Sequence, residues 1–259
     1  MWARSGSSLW QISQDGTVVD KIGNVFSPKP AAVGAQNLAI GLGSIWTVQP
    51  RSVLRIDPST DRVTARIDTP RGCDQVAAGP SVMFLGCRDS RLFKIEPDTN
   101  TATLVTTVGV SPAGLAFGAG SVWWLNFSEA GGVSKIGPAN GTIKDMASPN
   151  ATFVVPTGHG VWFIDGNGNA FSIDPTGGNG AATHALKKAR VASGAISDGG
   201  SVLINDGDLV AFDSDTGAVT RRTHVSGTQS FREVGGIAVL GQNIWLVDPK
   251  GERIVAVPR

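Results

Sequence analysis

The chain repeats itself. A glycine turn followed by an aliphatic residue and tryptophan occurs at Gly43-Ser44-Ile45-Trp46, Gly120-Ser121-Val122-Trp123 and Gly160-Val161-Trp162. Diverged copies stand at Gly79-Pro80-Ser81-Val82-Met83, Gly200-Ser201-Val202-Leu203 and Gln242-Asn243-Ile244-Trp245, and Trp2 fits a truncated first copy. The anchors at 2, 46, 83, 123, 162, 203 and 245 therefore recur about every forty residues. A fixed period of that length calls for repeated supersecondary units that bury their apolar faces only by stacking on one another.

Each anchor is followed by a second apolar run, as in Val53-Leu54-Arg55-Ile56, Leu92-Phe93-Lys94-Ile95 and Leu209-Val210-Ala211-Phe212. Several of these runs close on an acidic residue and a turn, such as Asp57-Pro58-Ser59-Thr60 and Glu96-Pro97-Asp98-Thr99. Proline there fixes φ and the residues after it complete the reversal. A third run alternates in character (Val63-Thr64-Ala65-Arg66-Ile67), and a fourth is short and small-sided (Ala113-Gly114-Leu115-Ala116-Phe117) and leads into the next anchor. No segment carries a sustained helical period with caps.

Four short strands per repeat predict an all-β fold, a β-propeller of four-stranded antiparallel sheets. The strands are labelled a (small-sided, inner), b (the tryptophan strand), c and d. The first copy lacks a and the last lacks d, which gives seven blades with the first and last incomplete; six is the alternative count. Residues 1–259 are expected to form one propeller domain, excised from a longer protein. The recurring tryptophans read as packing between blades.

Composition bounds the function. The chain has 34 Gly and 14 Pro, yet 41% of its residues are hydrophobic, which fits a turn-rich fold with a core and excludes disorder and collagen. Lys and Arg number 22 against 21 Asp and Glu, a net charge of +1 that supplies no field to gather nucleic acid or an anionic membrane. No apolar run is long enough to span a bilayer, so no membrane insertion by this segment is expected, and the first residues lack the apolar stretch of a signal peptide.

The combination of Gly-Ser-Ile-Trp, Arg55-Ile56-Asp57-Pro58 and Pro112-Ala113-Gly114-Leu115-Ala116 resembles the bacterial propellers grouped with virginiamycin B (streptogramin) lyase and the YncE-type propellers. The resemblance implies two alternatives. One is a non-catalytic binding or scaffold domain, a sensor or extracytoplasmic module recognising a small molecule, peptide or protein and attached to a kinase, regulator or membrane anchor. The other is a magnesium-dependent lyase that opens a cyclic depsipeptide by elimination, with a histidine base beside a bound cation. The chain offers His159, in an a–b turn, and His184 and His224, on or near d strands. None falls in the loops where such a site is expected, so no catalytic residue is assigned and the binding reading is preferred.

Cys73 and Cys87 flank a hairpin turning about Pro80, and residues opposite one another across that turn have numbers summing to about 160. The two thiols are expected to face each other within disulfide reach, free buried thiols being the alternative. A disulfide implies an oxidising, extracytoplasmic compartment.

In antiparallel four-stranded blades the b–c and d–a loops emerge at one end, the default binding surface. Its expected members are Arg51, Arg71, Asp74, Arg88, Asp89, Asn126, Glu129, Asp165, Asn205, Asp206, Arg232 and Asp248. No cofactor is expected beyond Mg or Ca, for which Asp165, Asn167, Asn205, Asp206 and Asp248 would gather oxygen ligands at the axial mouth.

Overall fold

The computed structural model describes residues 1–5, 7–26, 37–127, 132–146, 151–158, 160–165, 169–173, 181–184, 194–206, 208–225, 236–248 and 253–259. Among them lie twenty-six strands and no helix. Sheet 1 comprises β1 (Trp2–Ser5), β2 (Ser8–Ile12) and β3 (Val18–Ile22). Sheet 2 comprises β4 (Leu38–Gly41), β5 (Ser44–Gln49), β6 (Ser52–Asp57) and β7 (Arg62–Asp68). Sheet 3 comprises β8 (Cys73–Ala78), β9 (Met83–Cys87), β10 (Arg91–Glu96) and β11 (Thr101–Thr107), and sheet 4 comprises β12 (Pro112–Gly118), β13 (Ser121–Asn126), β14 (Val133–Ile136) and β15 (Ile143–Met146). Sheet 5 comprises β16 (Ala151–Pro156), β17 (Val161–Asp165), β18 (Ala170–Ile173) and β19 (Ala181–His184). Sheet 6 comprises β20 (Gly194–Asp198), β21 (Ser201–Asn205), β22 (Asp208–Asp213) and β23 (Val219–His224), and sheet 7 comprises β24 (Ile237–Leu240), β25 (Asn243–Asp248) and β26 (Arg253–Pro258).

Each sheet is antiparallel with its strands in chain order, so the seven are the blades of a β-propeller. Seven, not six, is the count. Among the described residues the first blade lacks an a strand and the last a d strand, as the repeat predicts. The chain divides into two compact units, Met1–Ser148 with sheets 1 to 4 and Pro149–Arg259 with sheets 5 to 7.

Within each unit the a strands of successive sheets meet: β4 with β8, β8 with β12, β16 with β20, and β20 with β24. Their small residues are a steric requirement of that approach. A Cβ built on Gly41 of β4 would lie 2.5 Å from the Ala78 Cβ of β8. The b strands β5 and β9, each with a sheet of the first unit on either side, are buried on both faces almost without interruption, and β13 is buried likewise. Between sheets 2 and 3 the core gathers Trp46, Val53, Val76, Met83, Leu85 and Ile95, and between sheets 5 and 6 Val155, Trp162, Ile164, Val202, Val210 and Phe212.

Register corrects one anchor. Trp46 pairs with Arg55, Trp123 with Lys135 and Trp162 with Ser172, and the equivalent pair in sheet 3 is Phe84 with Lys94. Phe84 rather than Met83 therefore takes the tryptophan position, with an aromatic ring preserved there.

The c–d turns of sheets 2, 3, 4 and 6 share one geometry. The N–H groups of Asp61, Asn100, Gly141 and Gly217 donate to the carbonyls of Asp57, Glu96, Gly137 and Asp213 at 2.9, 2.8, 2.9 and 2.9 Å. All four residues are left-handed, with φ of 56, 53, 67 and 69°. Glycine adopts that region without strain, and Asn and Asp are the side chains that best tolerate it.

Candidate functional site

In every blade the b–c and d–a connections leave one end of the sheet. At this end of the first unit, Asp74 and Arg88 form an ion pair of 2.7 Å, the carboxylate mostly buried and the guanidinium more than half exposed. They are neighbours because Cys73 and Cys87, the residues before them, are register partners. The two cysteines are bonded and buried, as expected, although the regular pairs of this hairpin sum to 161 and a one-residue register shift brings Cys73 opposite Cys87. Asp89 pairs with Arg91, Nε to Oδ2 at 2.8 Å, and hydrogen bonding to that guanidinium holds its carboxyl below the usual range. Arg51 and Arg71 are exposed.

Loop to loop, this end is tied together by Ser111, which lies between β11 and β12. Its hydroxyl donates to the Arg88 carbonyl at 2.9 Å, and its own carbonyl accepts the Phe127 N–H at 2.8 Å. The backbones of Arg88, whose side chain is exposed, and of Phe127, whose ring is 73% exposed, are thereby tied to one residue. Arginine beside an exposed aromatic is the composition enriched at recognition surfaces. Phe127 was not among the residues expected at this end. The signal for it is a large apolar side chain in a polar, glycine-rich stretch, Asn126-Phe127-Ser128-Glu129-Ala130-Gly131-Gly132. Asn126 closes its own loop, its N–H donating to the Gly132 carbonyl at 3.0 Å and its Oδ1 lying 3.3 Å from the Ser134 hydroxyl.

In the second unit, Asp165 and Asp206 hold equivalent places at the ends of their b strands, and both are buried. Each carboxylate is engaged with its own b–c turn. Asp165 Oδ1 accepts the Asn169 N–H and its Oδ2 the Asn169 side-chain amide, both at 2.7 Å. Asp206 Oδ1 accepts the Asp208 N–H at 3.0 Å, and its Oδ2 lies 3.3 Å from Arg222 Nη1. Asn205 is also buried, and Asp248 ends β25. Among the described residues no three His, Cys, Asp or Glu side chains converge as a metal site. Of the oxygen ligands expected to hold a hard cation, Asp165 and Asp206 are bound within their own turns, while Asn167 and the Asp248 side chain lie outside the described residues. Glu129, His159, Asn167 and Arg232 lie outside the described residues.

Two histidines end d strands, His184 in β19 and His224 in β23. Strand d runs toward the d–a connection, so His224, the last residue of β23, reaches this same end. Register places it opposite Asp208, and its Nδ1 lies 2.8 Å from Asp208 Oδ1. Arg222 Nη1 is 3.4 Å from Asp208 Oδ2, so Asp206, Asp208, Arg222 and His224 form one chain of contacts. His224 is 76% exposed.

The sequence matches no family model and no curated protein. Solved structures do resemble the fold. A chain of hydrazine synthase from Kuenenia stuttgartiensis aligns with a TM-score of 0.72 at 12% identity, over 89% of this chain and 78% of its own. The computationally designed Ika8 protein aligns at 0.69 and 12% identity, over 100% of this chain and 82% of its own. A chain of the nidogen–laminin complex aligns at 0.61 and 13% identity, over 86% and 92%. At such identities the likeness concerns architecture alone, because one fold hosts many unrelated sites. The propeller expectation stands, and no sequence match supports the narrower affiliation to virginiamycin B lyase or the YncE type.

Proposed function

We propose that this chain is a non-catalytic binding or scaffold domain that recognises a ligand or protein partner through its b–c and d–a loops. The observation that carries this reading is the Arg88–Ser111–Phe127 group. A cation and an aromatic ring, both solvent-exposed, are carried on loop backbones that hydrogen bonds through Ser111 tie together at the loop end of sheets 3 and 4. Loop backbones ordered before binding reduce the freedom lost on binding, and Arg and aromatic side chains are the residues favoured as contact anchors. The buried Cys73–Cys87 disulfide supports work in an extracytoplasmic compartment, where such bonds persist. A sensor or surface module joined to a kinase, regulator or membrane anchor is the setting that the family resemblance favours.

The rival is the magnesium-dependent lyase. Among the described residues the arrangement that would serve it is His224 on Asp208, since a carboxylate can orient an imidazole for proton abstraction. With three quarters of its surface in solvent, His224 offers a substrate no enclosure. Incubation with a cyclic depsipeptide and magnesium, read by mass spectrometry of the ring-opened product, separates the two. The binding reading expects no turnover; opening that stops on chelation and in His224→Gln would replace it with the lyase.

A further inference from the structure

At the opposite end of sheets 2 and 3, where the a–b and c–d turns lie, the surface carries an open pocket of about 370 Å³ lined by Ser44, Arg55, Asp57, Thr64 and Asn100 among others. That volume is at the lower end of small-ligand pockets. Arg55 and Asp57 are two apart on β6, and alternate residues of a strand share a face.

Both charged groups are fixed by the fold without being paired. Arg55 Nε donates to Ser44 Oγ at 2.9 Å, its Nη1 to the Pro97 carbonyl at 2.8 Å, and its guanidinium carbon lies 5.3 Å from the Trp46 ring centroid. Nη2 has no partner among the described residues. Asp57 Oδ1 accepts the N–H and the hydroxyl of Ser59 at 2.8 and 2.7 Å, and Thr60 also hydrogen-bonds the carboxylate. The Ser59 bonds also hold the Asp57 carboxyl below its usual range, so it is ionised at neutral pH. Asn100 adds a side-chain Oδ1 that is buried with no hydrogen-bond partner.

We propose that this pocket is a site for a small zwitterion of the α-amino-acid class, its carboxylate received by Arg55 and its ammonium by Asp57. A guanidinium presents a planar edge suited to a carboxylate, and charge-assisted hydrogen bonds are the stronger kind. The two protein charges lie on one strand face, each pinned by its own neighbours and neither ion-paired. A dipolar ligand satisfies both at once, whereas a simple anion or cation satisfies one. The site is independent of the loop-end reading, because it lies at the other end of its sheets.

The test is titration of the intact chain with L-serine, L-glutamine and L-leucine, followed by amide shifts in 1H–15N spectra. Acetate and methylammonium serve as the two halves of the ligand. At least one amino acid should give saturable shifts at Gly43, Ser44 and Thr64, with each half-ligand weaker by about tenfold or more. Arg55→Gln and Asp57→Asn should each weaken binding by a similar factor. Asp57→Asn keeps the oxygen that Ser59 uses, so it tests the site even if Arg55→Gln perturbs folding. The proposal fails if no amino acid saturates at millimolar concentration, if acetate binds as well as the amino acid, or if the shifts persist unchanged in Asp57→Asn.

Discussion

Cys73 stands opposite Cys87 because one residue, Asp74, is bulged out of β8. From Ala78↔Met83 to Gln75↔Gly86 the hairpin pairs step regularly, and the register then shifts so that Cys73, not Asp74, meets Cys87. The same shift recurs in β12, between Pro112 and Gly114, and in β16, between Ala151 and Phe153. A bulge re-aims the residue it extrudes; here that residue is Asp74, which takes Arg88.

Breaking this disulfide should weaken the fold. The bond closes a loop of 14 residues, for which chain entropy gives a contribution of about 3 kcal/mol. Cys73→Ala/Cys87→Ala, or reduction of the native chain, should lower the melting temperature by roughly 6–10 °C. Alkylation of unreduced native protein should label no thiol at these positions, and labelling of both would contradict the bond.

Gly41 and Ala78 define how closely two a strands approach. Because a Cβ on Gly41 would lie 2.5 Å from that of Ala78, Gly41→Ala should cost about 1–3 kcal/mol by overpacking. Ala78→Gly in the same chain should recover much of that loss. The signature in denaturant unfolding is a favourable coupling energy in the double-mutant cycle; additive effects would mean that the contact is not the cause.

Asp61 faces Asp20 of the preceding sheet. Burial first, then the Asp20 carboxyl, raises Asp61 above the ordinary carboxylate range, while the Lys21 N–H first, and Asp61 second, hold Asp20 below it. The two contributions have opposite signs. That of Asp61 is fully present below its unfolded pKa, about 3.9, and is lost as pH rises through its higher folded value; that of Asp20 is present above about 3.9 and is lost as pH falls through its lower folded value. Asp61→Asn removes the repulsion between two ionised groups and keeps a side chain suited to the left-handed turn, as Asn100 shows in the next blade. It should raise the melting temperature near pH 7 by roughly one or two degrees, with the gain shrinking toward pH 4. Parallel melting curves across that range would rule the pair out as the source.

Trp162 is held across blades. Its indole N–H donates to the Ser214 carbonyl in sheet 6 at 2.9 Å, whereas those of Trp46 and Trp123 donate to Gly41 and Gly118 in their own sheets. Trp162→Phe should therefore cost about 1–3 kcal/mol through a buried carbonyl left short of a donor, read as a lower denaturant midpoint with the slope unchanged.

The strand order and the incomplete first and last blades were legible in the sequence because each follows from local periodicity and turn chemistry, and the disulfide was legible to within the one-residue register shift that completes it. The bulge at Asp74 was not, since one extruded residue leaves the apolar pattern of β8 nearly intact. The third anchor was misplaced by one residue because Met83 and Phe84 are both apolar, and only cross-strand register distinguishes them. Asp165 and Asp206 appeared as free acids because their partners are turn amides and, for Asp206, Arg222, which sequence spacing does not reveal. His224 and Phe127 were missed for a related reason: the end of a blade that a residue reaches depends on strand direction, and exposure depends on what the neighbouring loops cover.

The central claim is that recognition occurs at the loop end around Arg88 and Phe127. Site-specific photocrosslinking in the native host tests it most directly, with the crosslinking residue placed at Phe127 or Arg88, or at Asn140 in a c–d turn at the other end of sheet 4. The account predicts a discrete adduct at Phe127 and Arg88 that is lost when the other of the two is replaced by alanine, and none at Asn140. Adducts at Asn140 alone, or equal capture at all three positions, would contradict it.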